Sequence, residues 1–240
     1  NAYIFANPSN GTSSYTGGLD TDFGNNIPYF STGPSDPSTA EPMKQSVRLH
    51  RKRFSGAIRA YPNGTLYQVF SADEPRYAGT PGSDLDDAWD TLLGGRYIRF
   101  LDSEVTALNM DEGLPNLSPI FPNASSDNSG QFYGGPDMLH SLHCLNIMRK
   151  QIDIDYYRDH VKLPQDLWRM HIDHCIEHLR QAVMCHGDLT PVTLRPIVLA
   201  NGTMKYLLGE TERLHTCRNG EVLREWVRDR GAEMGQLGSN

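Results

Sequence analysis

The pattern His-x-x-His-Cys occurs twice, as His140-Ser-Leu-His143-Cys144 and as His171-Ile-Asp-His174-Cys175. Imidazole nitrogens and thiol sulfurs are donors that redox metals favour, and an ordinary apolar core has no use for four imidazoles together. On a helix, residues three and four apart share a face, so each copy directs both histidines and its cysteine the same way. Two such helices laid side by side bring four imidazoles to one place, as helical proteins do when they build metal sites from facing helices. Metal chemistry is the first expectation, with His140, His143, His171 and His174 as ligands.

Four imidazoles with no carboxylate triad beside them suit copper or zinc. Zinc held by two His2Cys sets requires the cysteines to stay reduced. Copper in an all-histidine site with open positions activates dioxygen and removes hydrogen from unactivated C–H bonds, which no side chain does alone. Ligand imidazoles need partners that orient them. Asp137 and Asp173 are candidates for that task, the alternative being solvated carboxylates on a helix surface. His178 lies on the stripe of His171 and reads as a supporting or solvated residue; His50, His160 and His186 read as ordinary histidines. His215, in His215-Thr-Cys217, completes the metal shell if a bridge holds it near the end of the second helix. Other chemistries find no signature: there is no G-x-S-x-G, no glycine-rich phosphate loop and no H-E-x-x-H. Asp84, Asp86 and Asp87 lack EF-hand spacing and suit a helix N-terminus instead.

The elements that must position these residues can be read from periodicity. Residues 137–150 and 166–184 form two helices, with Leu139, Leu142, Leu145 and Met148 as the apolar side of the first. Leu167, Met170, Ile172, Ile176, Leu179 and Val183 form that of the second, and Tyr156 and Tyr157 sit in a helical turn between them. Upstream, apolar runs around Pro62-Asn63-Gly64 predict a hairpin. Ser83 as N-cap opens a short helix that buries Trp89, Leu92 and Leu93 and ends near Gly94-Gly95, before a short strand over 97–101. Residues 192–199 and 204–208 flank Asn201-Gly202 as a second hairpin, and a last helix from about Asn219 to Arg230 buries Val222, Leu223, Trp226 and Val227. Residues 1–45, rich in Gly, Ser, Thr, Pro and Asn, read as an extended or disordered arm; 111–136 read as loop, and 46–240 as one domain. The fold class expected is α+β, mostly helical, with the two motif helices packed together among short hairpins and long loops and stabilised by disulfides.

Composition narrows the setting. With 240 residues, 38% hydrophobic and 21% charged, the chain can build one substantial core. The net charge of −7 argues against nucleic acid, which needs a basic footprint. Arg48-Leu-His-Arg51-Lys52-Arg53 is a local basic run on a solvated strand or loop, or a processing site at Lys52-Arg53. No stretch approaches the roughly 18 apolar residues of a membrane span. The chain begins at Asn1, so a signal or anchor segment upstream is compatible with it. Five N-x-S/T sequons, at Asn10, Asn63, Asn116, Asn123 and Asn201, suit glycosylation in the secretory pathway. The four cysteines, Cys144, Cys175, Cys185 and Cys217, suit two disulfides in that oxidising lumen. Pairing Cys144 with Cys175 would lock the two helices, and Cys185 with Cys217 would tie the C-terminal segment down; sequence leaves all three pairings open.

The two motif segments, extended through Cys144-Leu-Asn-Ile-Met-Arg149-Lys150 and through Ile176-Glu-His-Leu-Arg-Gln-Ala-Val-Met-Cys185, resemble the UstYa-like oxidases of fungal secondary-metabolite and cyclic-peptide biosynthesis. The likeness continues in Cys185-His-Gly-Asp188-Leu-Thr-Pro191, in His215-Thr-Cys217-Arg218 with Trp226 beyond, and upstream in Asp86-Asp87-Ala-Trp89 and Leu92, covering roughly residues 75–230. It implies an N-terminal membrane anchor followed by a lumenal catalytic domain. It further implies dependence on one or two copper ions with dioxygen as co-substrate, and oxidative cyclisation, hydroxylation, desaturation or halogenation of a peptide or other natural-product scaffold. The family's functional positions fall on His140, His143, His171 and His174; His178 and His186 stand where its pattern has no histidine, and the arm finds no counterpart. Cyclisation ranks first, and a homodimer or a heterodimer with a family member is compatible. The rival readings are a zinc- or disulfide-stabilised binding module and a non-catalytic accessory subunit.

Overall fold

A computed structural model describes residues 46–108, 119 and 131–237. The expected arm over 1–45, most of the 111–136 loop, and the sequons at Asn10, Asn116 and Asn123 lie outside the described residues. Among the described residues, eight short strands form four separate antiparallel pairs. β1 (Leu49–Arg53) pairs with β8 (Leu214–Arg218), with Leu49 opposite Arg218. β2 (Ala57–Ala60) and β3 (Leu66–Val69) form the hairpin expected around Pro62-Asn63-Gly64. β4 (Ile98–Arg99) pairs with β5 (Tyr133–Gly134), and β6 (Thr193–Val198) with β7 (Met204–Glu210). The helices are α1 (Ser83–Leu93), α2 (Asp102–Leu108), α3 (Asp137–Ile152), α4 (Ile154–Tyr157), α5 (Gln165–His186) and α6 (Gly220–Met234). Helices hold 45% of the described residues beside small sheets, the mixed helix-and-strand fold expected. Among the described residues, no helix is long and apolar enough to cross a membrane.

Local chemistry explains the ends of these elements. The side chain of Asn219 accepts hydrogen bonds from the N–H groups of Glu221 and Val222, starting α6. Gly187 closes α5 in the left-handed region, at φ 44°, and its N–H bonds the Val183 carbonyl. At α1 the expectation shifts by one residue. Gly82 takes the N-cap position, and Ser83 is already helical without a side-chain cap. Asp84 and Asp86 still occupy the first turn, where the helix dipole favours them.

The core has two apolar clusters that meet on α3. Leu85, Trp89 and Leu93 of α1 form one; Ile98, Leu139 and Val227 form the other, and Leu142 packs against both. Each such buried side chain contributes roughly 1.5–3 kcal/mol. The apolar stripes expected on the motif helices need correction. On α3, Leu139 is buried but Leu145 is exposed, and Asn146 and Arg149 are buried instead. On α5 only Ile172 and Cys175 are buried, while Met170, Ile176 and Val183 face solvent. The reason is that α5 packs mainly against α3, along the face that carries its cysteine and histidines. Its aliphatic side is left uncovered among the described residues.

A buried polar network fixes α1 to the motif helix. Arg149 donates from Nη2 to Asp86 Oδ1 at 2.6 Å, from Nη1 to the Tyr157 hydroxyl at 2.6 Å, and from Nε to Asn146 Oδ1 at 3.0 Å. The Tyr157 hydroxyl in turn donates to Asp86 Oδ1 at 2.8 Å. Burial works against the Asp86 charge, but the bonds from Arg149 and Tyr157 outweigh it and hold its pKa below the ordinary carboxylate value. Arg149→Met removes every donor but the hydroxyl and strands Asp86. The expected loss of stability is about 2–4 kcal/mol in urea denaturation, against less than about 0.5 kcal/mol for Ile152→Ala on the exposed end of α3.

Candidate metal centre

The ring contacts across α3 and α5 run in opposite chain directions, which makes the helices antiparallel. Each motif residue meets a counterpart in order. The indole N–H of Trp168 donates to Gln151 Oε1 at 2.6 Å. Next come His143 and His171 with ring centroids 5.7 Å apart, then His140 and His174 at 5.6 Å. At the far end His178 meets Ser141, Nε2 to Oγ 3.1 Å, and Asp137, 3.3 Å. The result is a ladder of imidazoles along one seam. It arises because the His-x-x-His spacing repeats the helical turn on both strands of the pair.

The tightest donor group is His140, His174 and Cys144, whose ligand atoms lie within 4.8 Å of one another. The Nε2 atoms of His140 and His174 are 3.4 Å apart, and Cys144 Sγ is 3.8 Å from His140 Nε2. Nitrogens at that separation can share one ion with bonds of about 2.0–2.1 Å. His143 and His171 form a second imidazole pair one turn along, and no carboxylate intrudes between the two pairs among the contacts described. This donor set of neutral nitrogens and soft sulfur fits copper or zinc and not a hard oxygen-seeking ion.

Electrostatics favour ligand-ready imidazoles. Burial lowers the pKa of His143 to about 4, helped by the charges of Arg96, His171 and His140. Burial likewise lowers His140, with His178 and His174 adding repulsion, and lowers His171, with His174 adding to it. All three are therefore neutral near pH 7, with a lone pair to offer.

The remaining site residues are placed as follows. His178 belongs to the ladder, with its ring 4.5 Å from that of His140. Asp137 does reach an imidazole, that of His178, whereas Asp173 is paired with Arg169 on the surface. His215 is not brought into the set. It is buried on β8, stacked on Phe54 at 3.7 Å, with Nδ1 2.6 Å from Asp188 Oδ2 and Nε2 3.2 Å from the Thr211 carbonyl. With both nitrogens engaged, it ties β8 to the segment after α5 and has no lone pair free for an ion. No two of the four cysteines lie at disulfide distance. Cys144 and Cys175 are nonetheless both fully buried, and burial together with the neighbouring Cys144 thiol pushes the Cys175 thiol up to about 12. Two residues escaped the sequence reading altogether: Trp168, whose ring edge meets His171 at 6.0 Å, and Arg96, whose charge reaches His143 and His140. Trp168 precedes His171 by three residues, and that spacing was a readable signal. Arg96 had none.

The sequence model of the family described as mycotoxin biosynthesis protein UstYa matches residues 24–230, and the chain belongs to that family. It is similar to the UstYa family oxidase phomYd of Diaporthe leptostromiformis, 32% identical over 79% of this chain and 61% of the relative. It is also similar to the UstYa family oxidase phomYe of the same fungus, 37% identical over 69% of this chain and 60% of the relative. A third relative, 27% identical over 68% of this chain and 55% of its own length, carries the name transacylase cctO, from Talaromyces islandicus. The matched region thus spans little more than half the length of these relatives. No solved structure matches.

The pKa of His143 carries a stability prediction. Its folded value lies below the unfolded 6.5, so the unfolded chain binds the extra proton between the two. Stability of the metal-free protein should fall as pH drops from 6.5 through about 4. Chemical denaturation across that range, repeated with His143→Asn, should show a shallower fall in the variant.

Proposed function

We propose that the protein is a copper-dependent, dioxygen-using oxidase of fungal natural-product biosynthesis, acting on a peptide or other secondary-metabolite scaffold. The single observation that carries this reading is the ladder itself: two imidazole pairs and a buried thiol pair, gathered from two antiparallel helices. Membership of a family whose relatives are named as oxidases supports it. The name transacylase on one relative does not redirect it, because acyl transfer needs a nucleophile that a substrate carbonyl can reach, and the Cys144 thiol beside His140 is fully buried.

His140 and His174, with Cys144 beside them, would hold copper, and His143 with His171 would hold a further ligand pair or a second ion. Bound copper supplies the one-electron chemistry with dioxygen that side chains lack. The chain's own residues do the rest. Burial and the Arg96 charge keep His143 neutral. The Cys144–Cys175 contact fills the seam between the helices and excludes water from behind the imidazoles. Ser141 and Asp137 hold His178 against His140, which fixes the orientation of both rings. Oxidative ring closure is the reaction ranked first, followed by hydroxylation and halogenation. We place the protein in the lumen of the secretory pathway on an anchored chain, working alone, as a homodimer or with a second family member. The sequon asparagines Asn63 and Asn201 are exposed on hairpin turns, each accepting the N–H of the threonine two residues on, and are accessible to glycosylation.

Metal analysis and copper EPR on the purified protein test this reading. Stoichiometric copper is expected, lost or spectrally altered in His143→Ala and His174→Ala and retained in His215→Ala, whose side chain serves packing instead. Zinc, or no metal after copper loading of a folded protein, would reject the oxidase and favour the non-catalytic binding module.

A further inference from the structure

Four arginines are buried among the described residues, and three of them donate to a carboxylate or a carbonyl. Arg149 meets Asp86, Arg230 meets Glu104, and Arg224 donates to the carbonyls of Leu92 and Gly94. Arg96 is the exception. It is 9% exposed, yet among the described residues it makes no ion pair, its Nε finds no acceptor, and its one recorded contact is with the face of Tyr97. A buried N–H with no acceptor is unfavourable, and it persists where something else supplies the acceptor.

Its position says what that something adjoins. The Arg96 backbone lies directly against Gly135, where any side chain would collide with the Arg96 carbonyl. Gly135 immediately precedes Pro136, the N-cap of α3, whose first two turns carry His140 and His143. Arg96 is thus locked beside the N-terminal end of the motif helix, near enough for its charge to act on both of those histidines. Asp137, the carboxylate at that end, is engaged with Ser141 and His178 and leaves the guanidinium unanswered.

We infer that Arg96 is an anion-binding residue of the histidine ladder and takes a carboxylate group of the substrate. A guanidinium presents parallel N–H donors that match the two oxygens of a carboxylate. A polyanion such as a phosphate is disfavoured by the net charge of −7. Bound there, the carboxylate anchors one end of the scaffold beside the imidazoles and orients the carbon to be oxidised, a specificity role that the histidines cannot perform. The inference deepens the oxidase reading and rests on the ladder being the reaction centre.

The test uses the metal-free full chain, so that it succeeds or fails independently of copper. Acetate is titrated against the ring NMR signals of His140 and His143, assigned from the His140→Asn and His143→Asn spectra, with chloride as the inorganic comparison. Acetate should shift both sets saturably, at concentrations where chloride does not. Arg96→Gln should weaken the apparent affinity by about tenfold or more. Arg96→Lys, which keeps the charge and loses the fork, should fall between the two and serves alone if the glutamine variant does not fold. Unchanged saturation in a folded Arg96→Gln protein, native affinity in Arg96→Lys, or an equal response to chloride would each overturn the assignment. A positive result with no copper bound in the metal analysis would separate this site from the oxidase reading and leave only the latter rejected.

Discussion

The antiparallel seam between α3 and α5 is the constraint on which the site depends. Cys144 and Cys175, both fully buried, sit at its centre, small enough to let the helices approach. Sulfur there sets the spacing at which imidazoles on either side come within reach. A larger residue at either position would push the helices apart and undo every ring contact at once. The ladder is therefore a consequence of close packing as much as of histidine placement.

The other half of the arrangement is how firmly α3 is held compared with α5. One flank of α3 meets α1 and α6 through Leu139 and Leu142, and the Arg149 network ties its C-terminal half to Asp86 and Tyr157. α5 has no such support; its ends are secured instead by the Trp168–Gln151 bond and by the Asp188–His215 pair just beyond Gly187. The fold thus presents one rigid rail and one pinned rail.

Much of this was legible in the residues. The doubled motif gave the helices, their facing sides and the four histidines, because a local spacing of three and four residues encodes them directly. The hairpins around Asn63 and Asn201 and the helix from Asn219 were legible for the same reason, as turn and cap chemistry acts over a few residues. What escaped is non-local. The pairing of β1 with β8 joins Leu49 to Arg218, and no short-range pattern announces it. The aliphatic stripe of α5 read as core because amphipathicity shows which side is apolar, not whether a partner covers it. His215 looked like a ligand by its neighbours in sequence, yet Asp188 and Thr211 claim both of its nitrogens in space. Arg96, in a plain Gly-Gly-Arg-Tyr stretch, became visible only when each buried charge was matched to its partner.

His174 is exposed, and His140, His143, His171 and His178 are only part-buried. Among the described residues, the ladder lies on an open flank of the helix pair and not at the bottom of a closed chamber. Reactions in sealed cavities are limited by what fits through the mouth. On the oxidase reading proposed above, a seam laid open along a helix pair has no such limit: a macrocycle or a folded peptide would be presented to it edge-on, whatever its bulk. Discrimination then rests on the contacts that hold the edge in place, and one scaffold can change its clientele by altering those contacts while the seam stays as it is.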